Sequence, residues 1–246
     1  MAGNVLFPAV LFLFLLFGGI CMYVFMTCFE IIGTISFALS GAMTALKKNM
    51  DIFGICVLGL TTAVGGGIIR DLILGITPPA TFIDPKYVII AVAVSIILFF
   101  PFVRRLISRR PRTYEVILLI SDSAGLGIFT VYGAKVAIEA GYGESAFLVI
   151  FVAVVTGVGG GVMRDVFAGD RPYIFVKHVY ACAAIAGAVV CVALWKVTTP
   201  NVSMIAGFAV IFVLRLCSAK FRWSLPKPKY VELPDSSHQK DACPHA

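Results

Sequence analysis

One heptapeptide pattern occurs twice, as GGGIIRD at Gly65–Asp71 and as GGGVMRD at Gly159–Asp165. Each copy lies inside a long apolar run. Three consecutive glycines weaken a helix by about 1 kcal/mol each relative to alanine. An Arg-Asp pair follows within one turn, at a depth where charge is costly. A soluble core helix gains nothing from this combination. A transmembrane helix that must break, expose backbone and hold charges does. The first expectation is therefore that both helices are interrupted at the glycines.

The apolar runs around the two motifs set the class. Of 246 residues, 60% are hydrophobic and 13% are charged, about half the charge fraction of a soluble domain. Runs of about 20 apolar residues, enough to cross a bilayer as helices, recur along the chain. The expected fold is an all-α polytopic membrane protein. A net charge of +7 raises nucleic acid as a partner. The basic residues instead cluster in short loops and in the tail, which is the pattern of membrane orientation, so no nucleic-acid partner is expected.

Within residues 24–103, Glu30, Gly33, Phe37 and Gly41 fall on one helical face. Within residues 114–195, Asp122, Gly125, Phe129 and Gly133 repeat that spacing 92 positions later. The glycine motifs repeat at an offset of 94. Small residues on such a stripe allow close helix approach in lipid. The acidic residue on it should face protein or water.

Three apolar segments make up each repeat. In the first they span about 24–46, 52–76 and 87–103; in the second, about 114–138, 146–168 and 174–195. The third segment, almost uniformly aliphatic, reads as a lipid-facing helix. A basic loop at 104–113 joins the repeats. A seventh helix is expected within 196–218, and a basic, then Pro-rich and disordered tail at 219–246. Residues 1–23 form a hydrophobic extension without a basic leader region. It reads as an extra helix, as an extension of the first helix, or as a mis-assigned start, since Met22 and Met26 precede the organised part.

An odd number of helices per repeat makes the second copy enter the membrane from the opposite side. Placing the start of the first segment outside puts Lys47–Lys48, Arg104–Arg112, Arg171–Lys177 and Lys220–Lys229 all inside. Two inverted three-helix repeats plus a seventh helix follow, with a cytoplasmic C-terminus.

Paired interrupted helices in inverted halves point to a transport path. Irregular backbone at membrane depth is tolerated where it lines a wet cavity. Carbonyls freed around Thr61, Thr62 and Gly65–Gly67, and around Thr156 and Gly159–Gly161, would replace part of a cation's hydration shell. Asp71 and Asp165 suit the positive dipole ends of the half-helices that follow each break. The competing readings are a glycine surface for close packing and structural Arg-Asp ion pairs. Phe37 and Phe129 read as packing more than as a gate.

No Ser/His/Asp or Cys/His constellation lies in the apolar segments, and His178 stands by itself, so no enzyme and no catalytic residue is expected. Six of seven cysteines lie in apolar runs and no CxxC occurs. They read as small buried hydrophobes. Cys243 with the His238–His245 stretch fits no standard zinc spacing. No metal site and no cofactor is expected.

Two three-helix repeats, each with acidic-x-x-Gly-x-x-x-Phe-x-x-x-Gly followed by GGGxxRD, resemble the prokaryotic members of the trimeric intracellular cation channel family. The resemblance covers about Phe29–Ala219. It implies a homotrimer in the cytoplasmic membrane with one pore per subunit, formed by the kinked second and fifth helices and conducting K⁺ and other monovalent cations. Some bacterial relatives are instead described as glycine transporters. In that alternative Arg70 or Arg164 would hold the substrate carboxylate.

The depth of the charges gives one geometric expectation. At 1.5 Å rise per residue, Glu30 and Arg70 both fall in the outer third of a core about 30 Å thick. Asp122 and Arg164 fall together in the inner third. Glu30 is therefore expected to pair with Arg70, and Asp122 with Arg164.

Overall fold

The computed structural model describes residues 3–101, 111–176, 179–221 and 223, with the side chains of 3–23, 111 and 176 left out. Nine α-helices carry these residues: α1 Gly3–Lys47, α2 Ile52–Ile73, α3 Ala80–Ile83, α4 Lys86–Phe99, α5 Pro111–Ala137, α6 Ala146–Phe167, α7 Tyr173–Val176, α8 Tyr180–Trp195 and α9 Pro200–Phe221. A π-helical turn, Ile138–Tyr142, extends α5. Five helices are long and apolar enough to span a membrane, and the shorter apolar α4 and α8 complete seven. Residues 3–23 belong to the first helix, so the N-terminal stretch extends it. The basic loop at 104–110, His178 and most of the tail, including Cys243, lie outside the described residues.

The two repeats share their local signals. Asp51 caps α2 by accepting from Gly54 N–H at 2.7 Å, and Ser145 caps α6 by accepting from Leu148 N–H at 3.4 Å. Both caps satisfy an amide that the first helical turn leaves without a partner. At the other ends, Gly75 and Gly169 adopt φ of 73° and 70°. This left-handed residue lets the next amide turn back onto the helix. Ile76 N–H reaches Asp71 O at 2.8 Å and Asp170 N–H reaches Asp165 O at 2.9 Å.

Between these ends α2 and α6 are each helical without a break. The expected interruption at the glycines, and the half-helices after it, do not occur. The physical reason is packing. The middle glycine of each triplet lies where two backbones touch. A Cβ on Gly66 would strike the Thr156 carbonyl, and a Cβ on Gly160 would strike the Thr62 carbonyl. The gain from close backbone approach offsets the low helix propensity of glycine.

The repeated stripe packs in the same reciprocal manner. A Cβ on Gly33 would lie 2.6 Å from Ile128 Cγ2, and one on Gly125 would overlap the Phe37 ring. The rings of Phe37 and Phe129 meet at 5.3 Å between α1 and α5. Helices α1, α2, α5 and α6 thus form a four-helix centre. Helix α4 packs on α1 and α2, and α8 packs on α5 and α6. The aliphatic α4 is buried along Ala91, Ser95 and Leu98, so lipid faces only one side of it. Helix α9, which has no repeat mate, packs mainly on α5 and α8 of the second repeat, and reaches the first at Phe208, whose ring lies 5.8 Å from that of Phe29. The sixth segment starts later than its apolar run suggests, because α7 is a separate short helix before α8.

Candidate functional site

The α2–α6 crossing separates two polar clusters, each beside one glycine triplet. We call the end bearing Glu30 and Arg70 outer, following the loop charges. Each cluster is built on the same unit. Arg70 Nε donates to Asp71 Oδ1 at 2.8 Å, and Arg164 Nε donates to Asp165 Oδ1 at 2.9 Å. The second oxygen of each aspartate accepts the first amide of the following short helix. Ala80 N–H lies 2.9 Å from Asp71 Oδ2, and Tyr173 N–H lies 2.7 Å from Asp165 Oδ2. Asp71 and Asp165 thus meet helix N-termini as their charge favours, but those of α3 and α7, not of broken α2 and α6.

At the inner end the expected pair forms. Arg164 Nη1 donates to Asp122 Oδ1 at 2.5 Å and to Ser40 Oγ at 2.6 Å. Asp122 Oδ2 accepts from Arg215 Nη2 at 3.3 Å. Asp122, Arg164 and Arg215 are all nearly inaccessible, at 1%, 1% and 3% exposure. Two arginines and two aspartates balance there, which is how a charge group survives burial. Tyr180 stacks its ring 4.6 Å from the Arg215 guanidinium. Its hydroxyl is buried without a hydrogen-bond partner among the described residues and stands 2.8 Å from where a Cβ of Gly161 would lie. A broad hollow of about 890 Å³ opens below this cluster, bordered by Lys47, Asp122, Tyr173, Arg215 and Lys220.

At the outer end the expected pair does not form. Arg70 stays with Asp71, with Nη2 2.7 Å from Oδ1. Its guanidinium lies over the Tyr132 ring at 5.4 Å. Tyr132 stands at the repeat position that Ser40 fills in the other half, so a ring occupies the room that Arg164 uses to extend. Glu30 and Arg70 share a cavity of about 70 Å³ with Thr34, Gly67, Tyr87 and Tyr132. No ion pair joins them. Both residues line the same cavity, and the aromatic between the repeats decided the pairing.

The remaining expected residues lie between the clusters. Thr62 Oγ1 donates to Leu58 O at 2.6 Å and Thr156 Oγ1 to Val152 O at 2.6 Å. Thr61 Oγ1 donates to Val57 O at 2.8 Å. All three hydroxyls therefore bond within their own helices. Gly65 faces Met163, and Gly159 faces Gly66. The third glycine of each triplet has a different setting. A Cβ on Gly67 would meet Arg70 Nη2 at 3.8 Å and no other group within 4 Å among the described residues.

Four contributors escaped the sequence reading. Ser40 and Tyr132 occupy equivalent positions but differ in type, so the repeat did not mark them. Tyr180 carries no charge. Arg215 did have a signal, being an arginine inside the apolar run of the seventh helix. Among the described residues no His/Cys/Asp/Glu group could hold a metal ion.

Comparison with known proteins agrees with this architecture. A family model described as glycine transporter matches residues 27–102 and again 119–196, one match per repeat. The membrane protein YvgT of Bacillus subtilis is 36% identical over 202 residues, covering 82% of this chain and 95% of its own. The inner membrane protein YadS of Escherichia coli is 36% identical over 204 residues, covering 82% and 94%. Both carry the designation UPF0126. A prokaryotic TRIC channel superposes with a TM-score of 0.75 at 32% identity, over 82% of this chain and 100% of that one. The TRIC trimeric intracellular cation channel orthologue of Rhodobacter sphaeroides gives 0.73 at 33% identity, over 80% and 98%. A two-repeat, seven-span protein of the cytoplasmic membrane with these relatives is placed without ambiguity: the chain belongs to the TRIC/UPF0126 family, whose model bears the description glycine transporter.

Proposed function

We propose that the protein is a monovalent-cation channel that conducts K⁺, assembled as a homotrimer in the lipid bilayer with one path per subunit. In this reading the path runs along the α2–α6 crossing, past Thr61, Thr62 and Gly65–Gly67 and past Thr156 and Gly159–Gly161. One observation carries it: polar cavities with buried charge sit at both ends of a crossing whose centre consists of glycine and threonine backbone. Buried charge is costly in lipid and marks ion pathways. The solved relatives with matching folds are TRIC cation channels. No step of this function makes or breaks a covalent bond, so the protein acts as a channel and not as an enzyme.

A second reading has one observation in its favour. The outer cavity offers a carboxylate, Glu30, and a guanidinium, Arg70, within about 70 Å³, which suits a small zwitterion such as glycine. The two readings separate in one experiment. The full-length protein is reconstituted and tested for single-channel current in KCl and for saturable glycine uptake into vesicles. Unitary K⁺ current without saturable uptake supports the channel. Saturable uptake without unitary current overturns it.

A further inference from the structure

The two charged ends differ in what holds the acidic residue of the repeated stripe. Asp122 has both oxygens occupied, Oδ1 by Arg164 and Oδ2 by Arg215. Its counterpart Glu30 makes no hydrogen bond or ion pair among the described residues. It is nonetheless 9% exposed and borders the outer cavity beside Thr34 and Gly67.

The cations whose fields act on Glu30 are Lys86, Lys135 and Arg70. Each has a carboxylate of its own. Lys86 Nζ lies 2.5 Å from Asp84, Lys135 Nζ lies 2.6 Å from Glu139, and Arg70 lies 2.7 Å from Asp71. The hydrogen bond from Lys86 also holds the Asp84 carboxyl below its usual range, so that pair stays charged at neutral pH. Three cations therefore face four carboxylates, and the surplus negative charge is Glu30. At the inner end the seventh helix supplies Arg215 and removes any such surplus.

A carboxylate left over at this depth requires a compensating positive charge. The cavity beside it has room for a small ion, and a mobile cation supplies that charge. A mobile anion meets a surplus of its own sign. We propose that Glu30 sets the preference of the path for cations over anions, by holding a monovalent cation in the outer cavity. The assignment rests on the conducting reading above.

The test uses full-length protein in planar bilayers under a KCl gradient, where the zero-current potential gives the K⁺-to-Cl⁻ permeability ratio. Glu30→Gln should lower that ratio by about tenfold, as removal of one close charge in a weakly screened site does. Glu30→Asp should keep the preference. Lys135→Gln leaves Glu139 as a second surplus carboxylate and should raise the ratio. If Glu30→Gln gives no folded protein, Lys135→Gln decides, since an unchanged ratio there overturns the assignment. A cation-selective wild type whose ratio survives Glu30→Gln overturns the role of Glu30 and leaves the channel standing. That is also the outcome if a proton already neutralises Glu30. A wild type that passes no current overturns the channel and this assignment together.

Discussion

Arg215 reaches Asp122 from a helix outside both repeats, with Nη2 3.3 Å from Oδ2, and nothing in the first repeat mirrors that contact among the described residues. The seventh helix packs mainly against the second repeat and touches the first at Phe29. It thereby turns two equivalent halves into a closed, neutral inner cluster and an outer cluster with a carboxylate to spare. The asymmetry lies in charge, within a backbone arrangement that stays reciprocal at the glycine crossing.

The first prediction concerns this contact. Asp122→Asn leaves two buried guanidinium groups facing one carboxylate, Asp165, and should destabilise the protein by about 3–5 kcal/mol. Pairing it with Arg215→Met removes part of the stranded charge. The double variant should lose less than the sum of the singles, measured as thermal stability in detergent through a double-mutant cycle. Strict additivity would show that the two side chains do not interact.

A second prediction separates the glycines of one triplet. Gly66→Ala puts a methyl group onto the Thr156 carbonyl and forces α2 and α6 apart. It should destabilise by about 1–3 kcal/mol, the cost of overpacking. Gly67→Ala meets only Arg70 Nη2, at 3.8 Å, among the described residues. It should be neutral or stabilise by up to about 1 kcal/mol through helix propensity. The same methyl group enters the outer cavity and should reduce flux. Thermal melting and conductance of both variants check this. Equal losses of stability would refute the division of labour.

The third concerns Tyr180. Its hydroxyl is buried beside Gly161 without a partner among the described residues. An unmet buried hydroxyl costs about 1–3 kcal/mol. Tyr180→Phe keeps the ring under Arg215 and should melt at the same temperature as the wild type or higher. A clear drop in melting temperature would reveal a hydrogen bond to that hydroxyl.

The fourth tests orientation. Reporters fused at the C-terminus and after Arg112 should both read cytoplasmic, and one within 139–145 should read external. A cytoplasmic signal from the last fusion would reverse the assignment of outer and inner ends.

The sequence by itself determined the class, the inverted pair of three-helix units and the seventh span. Each of these rests on apolar length and on a repeat in register, which are properties of the chain. It also determined that Asp122 meets Arg164, because depth along two straight helices is linear in residue number. Only the tertiary structure decided what the glycines do. A triplet lowers helix propensity locally, yet the backbone of the opposite helix presses on Gly66 and Gly160, and that contact keeps α2 and α6 whole. Only the tertiary structure decided the partner of Arg70, because Tyr132 comes from the other repeat, 62 positions away. The same holds for Arg215, whose partner lies 93 positions earlier. Neither separation carries a periodic signal. Pairing at that range is set by which helix faces pack together, and a linear pattern does not contain that information.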